Sequence, residues 1–443
     1  MKKGWRELIP DNGLALTRVF SSLRSRNYRL YFGGQCISLI GSWMQTVAMG
    51  FFVYELTGSK ILLGLISFLN QVPSFVISPF AGVITDRIDR RRILLYTQSL
   101  CMAEALLLSF LVLTHLIEVW HILAFSLFVG IVNAFDAPAR QSMVIELVDR
   151  PQNLSNAIAL NSAVFNAARL VGPAIAGILI ALIGVGYCFL SNGLSYIAVI
   201  TALLLIRIPP VEKKKKKENI FHEFSEGFKY CYGFFPVRVL LLLVALFSFA
   251  GLPFMVLVPA FTKDILAGDS RILGFVYSCI GGGALTAAIY LAARKSVLGL
   301  GKVVSLTGII FGAGLVAVSL MRIHWLVYIL LVPTGFAMIA TLASVNTLLQ
   351  SLIDDDKRGR VMGFYTMALM GVGPFGSLVY GSVANWIGVP YTMMIGGIVC
   401  IAGALYFEHW RPVVRRYARR IYSRKGIIPE IAKGIDSDTV KGR

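Results

Sequence analysis

Long apolar stretches alternate with short polar segments along almost the whole chain. Several of these stretches contain no Lys, Arg, Asp or Glu, among them residues 30–54, 61–85, 239–262, 272–293, 303–321, 323–353 and 361–407. An α-helix rises about 1.5 Å per residue, so about 20 apolar residues cross the roughly 30 Å hydrocarbon layer of a bilayer. Because hydrocarbon offers backbone amides no hydrogen-bonding partner, each crossing is expected to be helical. The pattern predicts a membrane protein that crosses the bilayer many times.

The spacing of these stretches predicts an all-α integral membrane protein with about twelve transmembrane helices. The predicted spans cover residues 30–54, 61–85, 93–115, 119–138, 153–183, 185–206, 238–262, 272–293, 302–321, 325–352, 361–386 and 389–407. They divide the 443 residues into two halves and three other segments. These are an N-terminal arm (1–29), a first half of about six helices (30–206), a hinge (207–237), a second half (238–407) and a tail (408–443).

The charge of the chain is strongly positive, with 42 Lys and Arg against 23 Asp and Glu. Of these 42 cations, 37 lie in the N-terminal arm, in the tail or in every second loop between the predicted spans. The side of the membrane that carries them, called the basic face below, is therefore predicted to be cytoplasmic. We expect no nucleic-acid partner, since such a site would concentrate cations on one soluble surface. The prediction is a multi-pass protein of the bacterial plasma (inner) membrane with both termini in the cytoplasm.

The sequence lacks the residue patterns of an enzyme or a metalloprotein. Gly281-Gly282-Gly283 lies within a predicted span without a following Lys-Ser or Lys-Thr, so it is not a phosphate-binding loop. The five histidines are scattered, and the six cysteines show no metal-ligand spacing. We therefore expect no catalytic residue, no metal and no cofactor.

The two predicted halves share a feature at corresponding positions. Gly172-Pro173 in the fifth predicted span returns as Gly373-Pro374 in the eleventh. Two pseudo-symmetric halves of this kind are a design of transporters, in which the substrate binds between the halves at mid-depth. The repeat predicts a small-molecule substrate as the principal partner.

The hinge combines a basic run with an amphipathic pattern. Lys213–Lys217 precede a segment, 219–235, in which aromatic residues recur at helical spacing. Such a segment is typical of a helix that lies on the membrane surface, with the lysines near anionic lipid headgroups. A plain solvated linker is the alternative.

The loop after the second predicted span carries a recognisable motif. It reads Gly82-Val-Ile-Thr-Asp86-Arg87-Ile-Asp89-Arg90-Arg-Arg. This resembles the signature Gly-x-x-x-Asp-Arg-x-Gly-Arg-Arg of the major facilitator superfamily, with Asp89 in place of a glycine. The resemblance implies the major facilitator fold and assigns Asp86, Arg87 and Arg90 to a cytoplasmic gate that holds one closed state.

Three further stretches narrow the resemblance to one branch. Residues 54–59 (Tyr-Glu-Leu-Thr-Gly-Ser), 133–141 and 358–361 are similar to the enterobactin-exporter-like group, also called transmembrane secretion effectors, to which macrolide efflux pumps are related. Within residues 133–141, Asp136 lies where a span enters the cytoplasm, and it is a candidate gate partner for Arg90 or Arg140. The alternative is a simple charge at a helix end.

The fifth predicted span contains a second motif. Gly172-Pro173-Ala-Ile-Ala176-Gly177 resembles the antiporter motif Gly-Pro-x-x-Gly-Gly, with Ala176 in place of one glycine. In this superfamily the motif accompanies export rather than uptake, so the resemblance implies an exporter. Ordinary tight helix packing would use the same small residues.

Two ionisable residues lie deep within the predicted spans of the first half. Glu104 and Arg169 both fall near mid-bilayer, where a lone charge costs several kcal/mol. In one interpretation Glu104 carries the coupling proton, and Arg169 modulates it or meets an anionic group of the substrate. In the other, the two form a fixed ion pair or bond separately to backbone carbonyls.

Uncharged polar residues in the spans complete the set of candidates. Those proposed to line the substrate cavity are Gln45, Asn70, Gln71, Asn161, Asn166, Asn192, Asn346 and Tyr365. The sequence as a whole predicts a monomeric secondary transporter that exports a small amphipathic compound, siderophore-like or drug-like, by proton-coupled alternating access. A proton-coupled uptake symporter and a lipid flippase on the same fold are the alternatives.

Overall fold

The computed structural model describes residues 21–148, 153–207, 220–294 and 296–424. Regular structure in these ranges is helical, and twelve helical segments are long and apolar enough to cross a membrane. The predicted all-α fold with twelve spans is confirmed.

The first six spans are continuous helices that follow a short 3-10 turn at Ser21–Arg24. They are α1 (Arg26–Thr57), α2 (Lys60–Arg87), α3 (Arg90–Leu113), α4 (Val119–Leu147), α5 (Leu154–Ile183) and α6 (Val185–Leu205). Glycines with positive φ, Gly58 and Gly184, make the tight turns from α1 to α2 and from α5 to α6.

The remaining elements begin with a short helix in the hinge and continue with six more spans. They are α7 (Ile220–Gly233), α8 (Phe235–Ala250), α9 (Phe254–Ala260), α10 (Ser270–Ala293), α11 (Leu300–Leu320), α12 (His324–Leu352), α13 (Asp355–Thr366), α14 (Gly373–Ile387) and α15 (Val389–Arg424). The predicted amphipathic segment 219–235 corresponds to α7. Lys213–Lys217 lie outside the described residues.

Two spans of the second set are interrupted helices. The seventh span consists of α8, α9 and a π-helical segment at Phe261–Ile265, and Pro253 lies at the break between α8 and α9. The eleventh consists of α13, a π-helical segment at Met367–Gly371 and α14, which has Pro374 in its first turn. Proline cannot donate the helical hydrogen bond, so it interrupts both spans near mid-length.

Two helices extend furthest beyond the predicted ends of their spans. The fourth span was predicted to end at Pro138, but α4 continues to Leu147 with Pro138 inside it. The twelfth span was predicted to give way to a basic tail at residue 408, but α15 continues to Arg424. There the hydroxyl of Tyr422, which is buried, lies 2.7 Å from that of Ser351. A prediction based on hydropathy alone does not include tertiary contacts of this kind.

The chain forms two compact units. One unit is Met1–Met49 with Val76–Lys214, and the other is Gly50–Phe75 with Lys215–Arg443. Residues 50–75, predicted to belong to the first half, therefore pack in the second unit. As a result α1 and α2 each contribute one end to each unit.

Small residues allow close helix packing inside the second unit. A Cβ atom on the buried Gly283 of α10 would lie 2.7 Å from the backbone nitrogen of Phe336 in α12. Glycine at this position therefore sets the distance between α10 and α12.

Replacing Gly283 with alanine should lower the stability of the protein by about 1–3 kcal/mol, because the added methyl group forces α10 and α12 apart. Thermal unfolding in detergent measures the effect. Gly363→Ala is the matched control, since Gly363 is helical and nothing lies within 4 Å of its Cβ position. An unchanged melting temperature for Gly283→Ala would contradict this packing.

Candidate functional site

A chain of two buried polar side chains and a half-buried one between them links three helices of the first unit. Glu104 of α3 is only 4% exposed, and its two carboxylate oxygens accept from Nε2 of Gln45 in α1 at 3.3 and 3.1 Å. The Gln45 oxygen accepts in turn from Nδ2 of Asn192 in α6 at 2.6 Å. Two of the predicted site residues, Glu104 and Gln45, are thus brought together, with Asn192 as the third member.

Glycine brings the helices close enough for these contacts. A Cβ atom on Gly41 of α1 would lie 2.6 Å from Oδ1 of Asn192, and one on Gly193 of α6 would lie 2.6 Å from Leu106 of α3. A side chain at Gly41 would displace the Asn192 amide, so glycine leaves room for the contact of Asn192 with Gln45.

Arg169 occupies a different part of the first unit. Its guanidinium, on α5, stands over the ring of Trp43 at 5.5 Å, and Trp43 packs edge-on against Phe165 with ring centroids 5.7 Å apart. Glu104 hydrogen-bonds to Gln45 and forms no ion pair with Arg169 among the described residues. The structure therefore favours separate environments over a fixed Glu104–Arg169 pair.

The antiporter-type motif shapes the same region. A Cβ atom on Gly172 would lie 2.7 Å from Cβ of Trp43 in α1. Gly172 therefore allows α5 to approach α1 beside the Arg169–Trp43 contact. Pro173 and Gly177 lie in the same continuous helix.

A second buried carboxylate lies nearer the basic face. Asp136 of α4 is 3% exposed, and one of its oxygens accepts from Thr97 at 2.8 Å and from Gln98 at 2.7 Å, both in α3. Its other oxygen pairs with the guanidinium of Arg140, whose Nε lies 2.9 Å away. Arg140 also donates to Gln35 of α1 at 3.0 Å. Asp136 thus joins α1, α3 and α4 within one unit.

The signature loop makes contacts that the motif alone does not predict. Asp89 caps α3 by accepting from the backbone nitrogen of Arg91 at 2.9 Å, and Arg90 pairs with Glu146 of α4. The Arg91 side chain donates to the carbonyl oxygens of Leu203 and Leu204 at the end of α6, at 2.6 and 2.9 Å. Cations at a helix C-terminus are stabilised by its dipole.

This loop thus joins α3 to α4 and α6, and Arg91 and Glu146 are functional candidates that sequence reasoning missed. The side chains of the predicted gate residues Asp86 and Arg87 lie outside the described part of the chain.

The other candidates for the substrate cavity make local contacts. Gln71 donates to the hydroxyl of Ser67 at 2.8 Å, one turn earlier in the same helix. Asn166 donates to the carbonyl oxygen of Ser162, also one turn earlier and at 2.8 Å. Two further amides are half-buried: Asn70 and Asn161.

In the second unit, Asn346 accepts from Gln350 at 2.6 Å. The hydroxyl of Tyr365 donates to the carbonyl oxygen of Leu342 at 3.3 Å.

A charged cluster forms in the second unit at the face opposite the basic face. Asp264 accepts from the hydroxyl of Tyr54 at 2.6 Å and pairs with Lys60 at 3.3 Å. Nearby, Gly64 of α2 lies so close to α14 that its Cβ would be 2.5 Å from the carbonyl oxygen of Ser377. This cluster holds residues 50–75 against the rest of the second unit. Asp264 was missed because it belongs to no motif and its partners lie far away in sequence.

Twelve membrane-spanning helices with buried polar groups inside a helical unit are the architecture of a multi-pass membrane protein. The match of residues 17–435 to the transmembrane secretion effector family extends over nearly the whole chain. The chain therefore belongs to this family of major facilitator transporters, and the resemblance read from its motifs is confirmed.

Curated relatives cover most of the chain. The staphyloferrin A transporter of Staphylococcus aureus is 25% identical over 86% of this chain and 95% of that protein. Macrolide efflux protein A of Streptococcus pyogenes is 24% identical over 85% of this chain and 95% of that protein. An enterobactin exporter of Shigella boydii is 25% identical over 76% of this chain and 80% of that protein. These relatives are transporters and not enzymes.

Among solved structures, a POT family transporter in complex with 5-aminolevulinic acid superposes with a TM-score of 0.70, over 88% of this chain and 97% of that one. The sequences are 13% identical, so this likeness shows the fold alone.

Replacing Asp136 with alanine should lower the stability by about 3 kcal/mol, because Arg140 loses its buried partner and the donors of Thr97 and Gln98 lose their acceptor. Thermal unfolding of the purified protein checks the prediction. Asp89→Ala is the control, since that exposed cap should contribute only about 1 kcal/mol. Equal melting temperatures for the two variants would contradict the assignment.

Proposed function

We propose that this protein exports a small amphipathic compound, siderophore-like or drug-like, by alternating access coupled to the proton gradient. The observation that carries the proposal is the buried Glu104, held by Gln45 and Asn192. A charge at this depth costs several kcal/mol, so a carboxyl group maintained there is a functional candidate.

Glu104 is suited to hold a proton in one access state and to release it in the other. Its hydrogen-bond partner is an uncharged amide, and among the described residues no cation pairs with it, so the proton can be exchanged without breaking an ion pair. Gln45 and Asn192 connect the carboxyl group to α1 and α6, and a movement of either helix would change its environment. Arg169, beside Trp43, offers an anionic or aromatic substrate group a cation and a ring in the same unit.

The names of the relatives support the substrate class and the direction. One is a siderophore transporter, one is an efflux protein for macrolides and one is an exporter of a siderophore. The antiporter-type Gly172, Pro173 and Gly177 favour export as well. We place the protein in the bacterial inner membrane as a monomer, with its basic face in the cytoplasm.

Two groups of residues would control access in this proposal. Asp86, Arg87, Arg90, Asp136 and Arg140 would close the basic face. At the opposite face, the Tyr54–Asp264–Lys60 cluster would close the exit by keeping residues 50–75 packed in the second unit. Breaking the cluster would allow the outer ends of α1 and α2 to leave that unit.

Replacing Glu104 with glutamine should abolish transport driven by a pH gradient, because the amide cannot carry the proton. The measurement uses everted vesicles loaded through an imposed gradient, with staphyloferrin A and a macrolide as separate probes. Glu55→Gln is the matched control, since Glu55 is exposed at the end of α1.

Unchanged gradient-driven transport by Glu104→Gln would remove the residue from the coupling scheme. Transport only into right-side-out vesicles would instead indicate uptake, and movement of fluorescent phospholipid in liposomes would indicate a flippase.

Replacing Asp264 with asparagine should raise hydrogen exchange in residues 50–75 by about twofold to fivefold, the equivalent of roughly 0.5–1 kcal/mol for a partly exposed ion pair. Exchange measured by mass spectrometry reports the opening directly and needs no substrate. Glu55→Gln again serves as the control, because it removes a nearby charge with no partner in the cluster. Identical exchange in wild type and Asp264→Asn would exclude the cluster as a lock.

A further inference from the structure

An apolar cleft lies within the second unit, and Phe75, at the end of the segment 50–75, is among its lining residues. It has a volume of about 500 Å³ and runs between α7, α8 and the two parts of the eleventh span, α13 and α14. Residues that form its walls include Phe228, Cys231, Leu242, Ala245, Phe364 and Ala368. Burial raises the pKa of the Cys231 thiol to about 11, so this wall residue adds no charge at neutral pH.

The length of the cleft matches one leaflet of a bilayer. Along α8 its lining extends from Arg238 to Phe249, and along the eleventh span from Phe364 to Phe375. Each interval is eleven residues, or about 16 Å at the rise of a helix. Half of the hydrocarbon layer is about 15 Å thick. The cleft therefore runs from the basic face to about the middle of the membrane.

Apolar side chains on the rim are exposed, so the cleft is open to what surrounds the unit. Leu242 is 57% exposed, Phe228 55%, Phe375 46% and Phe249 40%. In a soluble protein such a patch would mark an interaction site. Because this cleft lies within one leaflet of the bilayer, the occupant that matches its apolar lining is a hydrocarbon chain.

The end of the cleft at the basic face carries a cation. The Arg238 guanidinium lies over the rings of Tyr232 and Phe235, at 5.2 and 5.6 Å. No carboxylate pairs with it in the part of the chain that the structure describes. Its planar set of donors suits bidentate binding of a phosphate group.

We propose that the cleft binds one anionic phospholipid from the leaflet at the basic face. The phosphate would lie against Arg238, where α7 meets α8, and one acyl chain would follow the groove to Phe249 and Phe375. The sequence also places Lys213–Lys217 shortly before α7, and a run of this kind concentrates anionic lipid at the membrane surface. Bound there, the lipid would join the hinge helix to both interrupted spans of the second unit.

Photo-crosslinking in liposomes tests the proposal without any transported substrate. The full-length protein is reconstituted in phosphatidylcholine vesicles that also contain a photo-reactive probe lipid. The probe is either phosphatidylglycerol or phosphatidylcholine, and in both cases it carries a diazirine near the end of one acyl chain. We expect phosphatidylglycerol to label peptides around Phe249 and Phe375 and to exceed phosphatidylcholine severalfold. Arg238→Gln should reduce that labelling about fivefold, since one interfacial cation contributes about 1 kcal/mol to anionic lipid binding.

Further variants separate the contribution of the Arg238 charge to lipid binding from that of the groove. Ala245→Phe and Ala368→Phe fill the groove and should abolish the labelling while Arg238 remains. Lys302→Gln is the matched control, because Lys302 is an exposed cation at the same face, in the first turn of α11, and does not line the cleft. Circular dichroism and gel filtration establish that each variant is folded.

Three results would overturn the proposal. Equal labelling by the two lipids would show an ordinary lipid contact, and an effect of Lys302→Gln as large as that of Arg238→Gln would show a general attraction to the surface. Displacement of the lipid by staphyloferrin A or a macrolide would assign the cleft to the transport path. Loss of transport in Glu104→Gln has no bearing on these outcomes, so the two proposals fail independently.

Discussion

The structure depends on one constraint, the absence of hydrogen-bonding partners in hydrocarbon. It makes every span helical and favours hydrogen-bonding partners within the protein for the polar side chains inside the bundle. Glu104 with Gln45 and Asn192, and Asp136 with Thr97, Gln98 and Arg140, are two solutions within one unit. The first group contains no cation in contact with the carboxylate, whereas the second contains Arg140. This difference suits Glu104 to exchange a proton and Asp136 to hold helices together.

The local hydrophobic pattern was sufficient to predict the twelve spans, because a helix that crosses the bilayer needs about twenty consecutive apolar residues. The major facilitator fold itself was predicted from the resemblance of the signature loop to that superfamily. The pattern also identified Glu104, since a carboxylate in an apolar run is conspicuous. It could not identify Asp264 or Arg238, whose importance depends on contacts formed by folding. It also placed the end of α4 at Pro138, although neighbouring helices support the chain through to Leu147.

The division of α1 and α2 between the units links the fold to the proposed mechanism. Residues 50–75 pack in the second unit, while the other ends of the same helices belong to the first. An ion pair with Lys60 and one hydrogen bond from Tyr54 hold Asp264 at the end of the interrupted seventh span. Contacts of this strength are weak enough to break and reform during a transport cycle. The helix interruptions at Pro253 and before Pro374 supply the positions where the second unit can bend.

The central claim is that Glu104 gains and loses a proton under the conditions of the cell. Infrared difference spectroscopy of the purified protein between about pH 6 and about pH 9 tests it most directly, because exposed carboxylates of ordinary pKa, about 4, stay almost fully ionised there. The account predicts a protonated-carboxyl band that appears on acidification of the wild-type protein and is missing from Glu104→Gln. A band of equal size in both proteins, or none in either, would contradict it.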